Sequence, residues 1–132
     1  MYLGVDYYPE HWDSNMMDID MQRIKKMGAN IIRIGEFAWH LMEKEEGQYD
    51  FSFFDKVIKN AKLYGLKVMF GTPTATFPAW LAKKHPSILS MDEYGHTRVF
   101  GGRRQYCYNS EIYWDYTKKI VERILKHFGK EE

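Results

Sequence analysis

The spacing of apolar residues along the chain predicts strands that alternate with helices. Short apolar runs predict strands at Leu3–Tyr7, Ile31–Ile34 and Lys67–Gly71. Between them, apolar residues recur every three or four positions and predict helices over Asp13–Met27 and Ser52–Gly65, with Ser52 as the N-cap of the second. Because strands that alternate with helices form right-handed βαβ units, we expect a parallel sheet.

Each of the three longer predicted helices has one apolar face. In the third part of the chain, a short helix is predicted at Ala79–His85, an irregular segment follows over 87–109, and Ser110 opens a last helix. The apolar positions of the three longer helices are Met17, Met21, Ile24 and Met27; Phe54, Val57, Ile58 and Ala61; and Tyr113, Tyr116, Ile120, Val121, Ile124 and Phe128.

The lengths of the connections indicate a barrel rather than an open sheet. The segments from strand to helix are long, whereas those from helix to strand are as short as Gly28–Asn30 and Gly65–Leu66. In (β/α)8 barrels the strand-to-helix loops build the active face. A whole barrel needs about 250 residues, so the 132 residues have a barrel-like α/β pattern but are too few for a complete barrel.

Charge and composition exclude several classes of partner. With 19 basic and 18 acidic residues the formal net charge is +1, which argues against a nucleic-acid partner. The sequence has no run of about 18 consecutive apolar residues, so we expect no membrane-spanning helix. The N-terminus lacks the pattern of a signal peptide, and the single cysteine, Cys107, excludes an internal disulfide. We therefore expect a cytoplasmic protein.

Polar residues at the predicted strand ends are candidates for ligand binding. Asp6 lies near the carboxyl end of the first strand, Glu36 follows the second with Trp39 nearby, and Gly71 ends the third. Since the carboxyl ends of parallel strands share one edge of a sheet, carboxylates and an aromatic face would meet there and suit a polyhydroxylated ligand. The alternative is structural, with Asp6 and Glu36 paired to an arginine such as Arg33 or Arg103.

Two other features have both a structural and a functional interpretation, and a third has only a structural one. The glycine-rich run Gly101–Arg104 could bring an arginine to a sugar hydroxyl or a phosphate, or it could be surface charge. Cys107 could ligate a metal, but one thiol makes no zinc site and a small buried apolar residue is the simpler interpretation. The charged run Glu43–Glu46 predicts a solvated loop or helix face.

Five segments, in order, resemble the motifs of glycoside hydrolase family 42, the β-galactosidases. Tyr7–Trp12 is similar to the N-terminal D-Y-x-P-E-x-W signature, and Ile34–Trp39 to the second-strand motif. Glu43–Phe51 resembles the E-x-x-E-G-x-[YF]-x-F stretch, Thr72–Leu81 the T-P-T-A-x-x-P-A-W-L run, and Gly102–Cys107 the G-x-R-R-x-Y-C segment.

The resemblance implies a retaining β-galactosidase, which hydrolyses terminal non-reducing β-D-galactosyl residues and has a (β/α)8 catalytic barrel followed by further domains, often in a trimer. It also implies that residues 1–132 are the N-terminal portion, about three βα units, of that α/β catalytic domain. The general acid/base of that family is the Glu of an Asn-Glu pair after the fourth strand, and the nucleophile follows the seventh. No Asn-Glu pair occurs in the sequence, so both catalytic residues are expected beyond Glu132.

Residue by residue, the resemblance carries over to two positions. Arg103 matches the family's substrate-binding arginine, and Cys107 matches the first ligand of a structural zinc site found in some members. The other three cysteines of that site are absent from this sequence. Barrel geometry would place Asp6, Glu36 and Trp39 near the galactose pocket.

Two alternatives to a part of a β-galactosidase remain open. The first is a truncated remnant or half-barrel module that binds galactosides without hydrolysing them, because the catalytic carboxylates are missing. The second is a different barrel enzyme in which Glu10 or Glu36 is catalytic.

Overall fold

The computed structural model describes residues 1–130. In chain order the elements are β1 (Gly4–Asp6), α1 (Met16–Lys26), β2 (Ile31–Ile34), α2 (Trp39–Met42), β3 (Glu43–Glu45), β4 (Gln48–Tyr49), α3 (Ser52–Leu63), β5 (Lys67–Phe70), α4 (Ala79–Lys84) and α5 (Glu111–Phe128), with 3₁₀ turns at Pro9–His11 and Pro86–Ile88.

These elements belong to two compact units. The first unit comprises Met1–Glu36 and Phe51–Gly71, and therefore contains β1, α1, β2, α3 and β5. The second comprises Phe37–Asp50 and the described residues from Thr72 onward, and contains α2, β3, β4, α4 and α5.

The first unit is built on the predicted parallel sheet. Its strand order is β1-β2-β5, and both neighbouring pairs are parallel. Gly4 pairs with Ile31, and Ile31 in turn pairs with Lys67. A Cβ atom at Gly4 would lie 2.6 Å from the Ile31 carbonyl oxygen, so the strands can approach this closely only because the residue is glycine. The predicted α/β pattern is confirmed.

Helix α3 packs against β5 and against α1, and one face of the sheet is buried. Ile32 and Ile34 are fully buried on this face, as are Met21 of α1 and Val57 of α3. Met27, which the spacing assigned to the apolar face, is exposed because α1 ends at Lys26. The N-cap of α3 is Phe51, and Ser52 is its first residue, so Ser52 is not the N-cap that we predicted.

The second unit contains more structure than the sequence indicated. The long connection after β2 holds the short helix α2 and the antiparallel pair β3–β4. Helix α5 begins as predicted: the Ser110 hydroxyl accepts a hydrogen bond from the Tyr113 N–H at 3.2 Å. Along α5 the predicted apolar positions are buried, except for the half-buried Val121.

Within residues 1–130, none of the helices combines the length and the apolar character that crossing a membrane requires.

Candidate functional site

The carboxyl ends of β1 and β2 carry a connected group of polar side chains. Arg33 Nη2 lies 3.0 Å from Glu36 Oε2, and Arg33 Nη1 lies 3.9 Å from Asp6 Oδ1. The Tyr8 hydroxyl donates a long hydrogen bond, 3.5 Å, to the same Glu36 oxygen. The structure therefore brings Asp6 and Glu36 to one edge of the sheet, as predicted, and the arginine between them is Arg33. We refer to Asp6, Tyr8, Arg33 and Glu36 as the strand-end cluster.

Two glycines place Glu36 at this edge. Gly35 has a φ of 83°, in the region that favours glycine, and it turns the chain at the end of β2. Gly71 continues the ladder after β5 by donating to the Ile34 carbonyl at 2.8 Å. A Cβ atom at Gly71 would lie 3.3 Å from Cα and Cβ of Glu36. The backbone after β5 thus lies so close to Glu36 that a side chain at position 71 would be crowded.

The surroundings of Tyr8 favour the neutral form of its phenol. Burial raises the pKa of Tyr8 most, and the nearby charges of Asp6 and Glu36 raise it further, while Arg33 acts in the opposite direction. A neutral phenol remains a hydrogen-bond donor at neutral and mildly alkaline pH. Tyr8 therefore helps to hold the Glu36 carboxylate in place.

The exposures within the strand-end cluster differ in a way that matters for binding. The Glu36 side chain is 12% exposed, whereas those of Asp6 and Arg33 are 54% and 41% exposed. A carboxylate that is held by an arginine and a phenol, and that still reaches the surface, can accept a hydrogen bond from a ligand hydroxyl. Asp6 is held more loosely.

Trp39 occupies a different kind of place. It is fully buried, and its indole N–H donates to Glu43 Oε2 at 2.8 Å. The other Glu43 oxygen accepts from the Gly47 N–H, also at 2.8 Å. In this arrangement Trp39 braces the β3–β4 hairpin and presents no face to solvent. Stacking of a sugar on Trp39 would require the ring to be uncovered, and it stays a prediction.

Glu43 corrects one prediction from the charge pattern. The run Glu43–Glu46 was expected to be a solvated face, but Glu43 is only 2% exposed. Its neighbours are donors, so the buried carboxylate is hydrogen-bonded, as a buried charge must be. Lys44, Glu45 and Glu46 are exposed as expected.

Arg103 lies in a tight turn of the second unit. Its guanidinium carbon is 5.2 Å from the centre of the Phe37 ring. The next residue, Arg104, has a φ of 56°, which makes it a non-glycine residue in the left-handed region, and its N–H donates to the Ala75 carbonyl at 2.8 Å. Such strain persists only where surrounding structure imposes it, so the turn is fixed.

Aromatic rings hold both ends of this turn. Before it, Phe100 packs on Phe77 with ring centres 5.5 Å apart. After it, Tyr106 stacks on Tyr113 with ring centres 4.0 Å apart and an interplanar angle of 15°. Tyr113 in turn donates to the Thr74 carbonyl at 2.6 Å, and burial raises its pKa well above the usual range. We call Phe77, Phe100, Tyr106 and Tyr113 the aromatic frame.

Cys107 follows this frame directly. The thiol is free and half-buried, and the Cys107 N–H donates to the Ile88 carbonyl at 2.7 Å. Among residues 1–130, no three histidine, cysteine or acidic side chains are grouped so that they could hold a metal ion. Cys107 as a zinc ligand stays a prediction.

Glu10 lies in the 3₁₀ turn after β1, and both of its carboxylate oxygens are buried. Its role as a catalytic group is untested.

Two residues of the site were not predicted from the sequence: Tyr8, which contacts Glu36, and Phe37, which lies against Arg103. Gly71, which lies beside Glu36, was expected at this edge as the end of the third predicted strand. Tyr8 lies two residues after β1, and that position could have drawn attention to it. Nothing local links Phe37 to an arginine so far along the chain.

Comparison with known proteins identifies the family. The model of glycoside hydrolase family 42, described as β-galactosidase, matches residues 6–132. A β-galactosidase of Thermus thermophilus is 44% identical over 127 residues, which are 96% of this chain and 20% of that protein. The chain therefore spans about a fifth of the length of the relatives that it matches.

Solved structures show the same likeness in three dimensions. The β-galactosidase of the psychrophilic Marinomonas ef1 superposes with a TM-score of 0.94 at 39% identity, over 99% of this chain and 20% of that one. The enzyme of Halorubrum lacusprofundi gives 0.93 at 39% identity over the same shares. The predicted fold class, the N-terminal portion of a (β/α)8 barrel, is confirmed. The matched motifs, the parallel strands and these superpositions together show that the chain belongs to glycoside hydrolase family 42.

Proposed function

We propose that this chain forms the N-terminal part of the catalytic barrel of a retaining β-galactosidase, and that residues 1–132 supply about three of its eight βα units. The proposed reaction is hydrolysis of terminal non-reducing β-D-galactosyl residues. The observation that supports it best is a polar edge at the ends of parallel strands in a chain whose relatives are named β-galactosidases. The whole protein would act on carbohydrates, and residues of this edge would bind them.

The chemistry requires two carboxylates outside this sequence. In a retaining glycosidase, one Glu protonates the leaving oxygen, a second forms the covalent glycosyl intermediate, and the first then activates water. The sequence has no Asn-Glu pair, so the proposed role of this chain is to bind. Arg103 would donate to sugar hydroxyls, and Glu36 would accept from them, with Asp6 and Trp39 as weaker candidates.

The proposal extends to the assembly and metal content of the whole protein. By resemblance, the complete enzyme would form a homotrimer. If it also held the structural zinc that the resemblance implies for some family members, Cys107 would be the first ligand. Neither feature is needed for the binding role of Arg103 and Glu36.

A joined protein tests the proposal. It consists of this chain in place of the matching fifth of the Thermus thermophilus β-galactosidase, to which the chain is 44% identical. We expect the joined protein to hydrolyse a chromogenic β-galactoside. An inactive joined protein that folds, as judged by its circular dichroism and melting, would contradict the proposal.

The same assay on the chain alone separates the alternative. If the chain is part of the enzyme, it turns over no β-galactoside by itself, because the two carboxylates are missing. If the chain is a module that binds galactosides without hydrolysing them, it binds galactose on its own, and the joined protein shows no hydrolysis of the β-galactoside. Turnover by the chain alone would contradict both accounts and favour a catalytic Glu10 or Glu36.

A further inference from the structure

The ring of Phe37 lies under the guanidinium of Arg103, at 5.2 Å from the ring centre to Cζ. We propose that Phe37 is a positioning residue for Arg103: its ring fixes the plane of the guanidinium so that the N–H edge is presented to galactoside hydroxyls. This inference rests on the proposed function for its ligand, but the contact itself lies wholly within the second unit.

The chemistry of the contact suits this role. A guanidinium is a planar group whose face stacks on aromatic rings and whose N–H donors lie along its edge. Stacking on Phe37 therefore restricts the orientation of the plane without using a donor. A lysine at position 103 would lose both the planar stacking and the forked arrangement of donors.

Phe37 is itself held in place. Its carbonyl oxygen accepts a hydrogen bond from the Thr76 hydroxyl at 3.0 Å. The two residues that follow, Ala38 and Trp39, are fully buried. A half-buried ring on a backbone anchored in this way is a fixed surface rather than a mobile one.

The backbone of Arg103 is equally restricted. Arg104 adopts a left-handed conformation, and its N–H donates a hydrogen bond to the Ala75 carbonyl. Gly101 has a φ of 110°. The aromatic frame holds the segment on both sides of the turn. The ring and the backbone together order a long side chain before the ligand arrives, and ordering in advance lowers the entropic cost of binding.

The first arm of the test examines the contact without any ligand, in the chain itself. The Hδ protons of Arg103, assigned by their loss in Arg103→Lys, should be shifted upfield by the Phe37 ring. We expect Phe37→Leu to abolish this shift and Phe37→Tyr to retain it. Phe53→Leu, at another half-buried phenylalanine, is the matched control and should leave the shift unchanged. A shift that survives Phe37→Leu would overturn the proposal.

The second arm examines binding, in the joined protein. Phe37→Leu should raise the KM for a chromogenic β-galactoside roughly two- to fivefold, the range that an exposed cation–π contact supplies. Phe37→Tyr should restore the KM, and kcat should change less than KM. In an Arg103→Ala background, Phe37→Leu should have no further effect, because its influence passes through the arginine.

The outcomes are distinguishable. Equal effects of Phe37→Leu with and without Arg103 would show a merely structural role and overturn the inference. An inactive wild-type joined protein, together with a ring-current shift that Phe37→Leu removes, would refute the proposed function and leave the positioning of Arg103 by Phe37 standing.

Discussion

Two glutamates of the chain, Glu36 and Glu43, show how differently the same residue type can be used. Glu36 lies at a strand end of the first unit, 12% exposed, beside an arginine that is itself 41% exposed. Glu43 lies in the second unit, 2% exposed, with one oxygen bound to the Trp39 indole N–H of α2 and the other to the Gly47 N–H of its own hairpin. The first carboxylate remains accessible to a ligand, whereas the second is committed to structure.

The largest expected effect is at Glu43. In Glu43→Gln the amide would direct an NH₂ group at one of two donors, either the Trp39 indole or the Gly47 N–H. We expect the free energy of unfolding to fall by about 2–3 kcal/mol, the range for hydrogen bonds to a buried charged group. Urea denaturation measures this change. Glu45→Gln, on the exposed side of the same hairpin, is the control, and an equal loss in both variants would contradict the structural role of Glu43.

Two buried tyrosines, Tyr113 of the aromatic frame and Tyr7 of the first unit, predict a second effect, which depends on pH. Burial raises the pKa of both Tyr113 and Tyr7 in the folded state. The unfolded chain releases those protons near pH 10, so the contribution of the two tyrosines to stability is constant below that pH and falls as the pH rises above it. We expect alkaline unfolding, followed by far-ultraviolet circular dichroism.

Tyr113→Phe should separate the two contributions of that phenol. It removes the bond to the Thr74 carbonyl and costs about 1 kcal/mol at neutral pH, but it also removes one source of the alkaline loss. The difference from wild type should therefore shrink as the pH rises above about 10. A constant difference at all pH values would count against the raised pKa of Tyr113.

A third effect, similar in size to that of Tyr113→Phe, concerns the backbone beside Glu36. In Gly71→Ala the new methyl group would lie 3.2 Å from the Ile34 carbonyl and 3.3 Å from Glu36 Cβ. The neighbouring atoms must shift to make room for it, and we expect the free energy of unfolding to fall by about 1–2 kcal/mol. Thermal melting measures this change. Thr72→Ala, an exposed neighbour, serves as the control, and we expect it to have little effect. A Gly71→Ala variant as stable as this control would contradict the close approach to Glu36.

The smallest effect on stability is expected at Glu36. Because its arginine partner is exposed, Glu36→Gln should change the free energy of unfolding by less than about 1 kcal/mol. The same substitution should lower the pKa of Tyr8, since the Glu36 charge is one of its causes. Ultraviolet titration, with Tyr8→Phe as the reference, reports this pKa. A destabilisation as large as that of Glu43→Gln would remove the distinction between the two glutamates.

The sequence predicted what depends on local spacing. The three parallel strands and the amphipathic helices follow from residues a few positions apart, such as the Tyr113 and Ile120 face of α5. The cap at Ser110 was predicted for the same reason. The polar edge with Asp6 and Glu36 also followed, because strand ends of a parallel sheet meet by topology.

What the sequence did not predict depends on partners that no periodic pattern announces. Glu43 stands in a charged run and was expected to be solvated, yet the fold of its hairpin turns it inward. The contact of Phe37 with Arg103 joins residues far apart in the chain. The hydrogen bond of the Trp39 indole to Glu43 was not predicted either, because the fold and not the position after a strand brings the two side chains together.

The most direct measurement of the central claim is the kcat/KM of the joined protein for a chromogenic β-galactoside after Arg103→Ala. Arg98→Ala, at another exposed arginine of the same segment, is the matched control. If this chain supplies the galactoside-binding arginine, Arg103→Ala should lower kcat/KM at least about tenfold, the loss expected for charge-assisted hydrogen bonds, while Arg98→Ala leaves it near wild type. Equal values for the two variants would contradict the account.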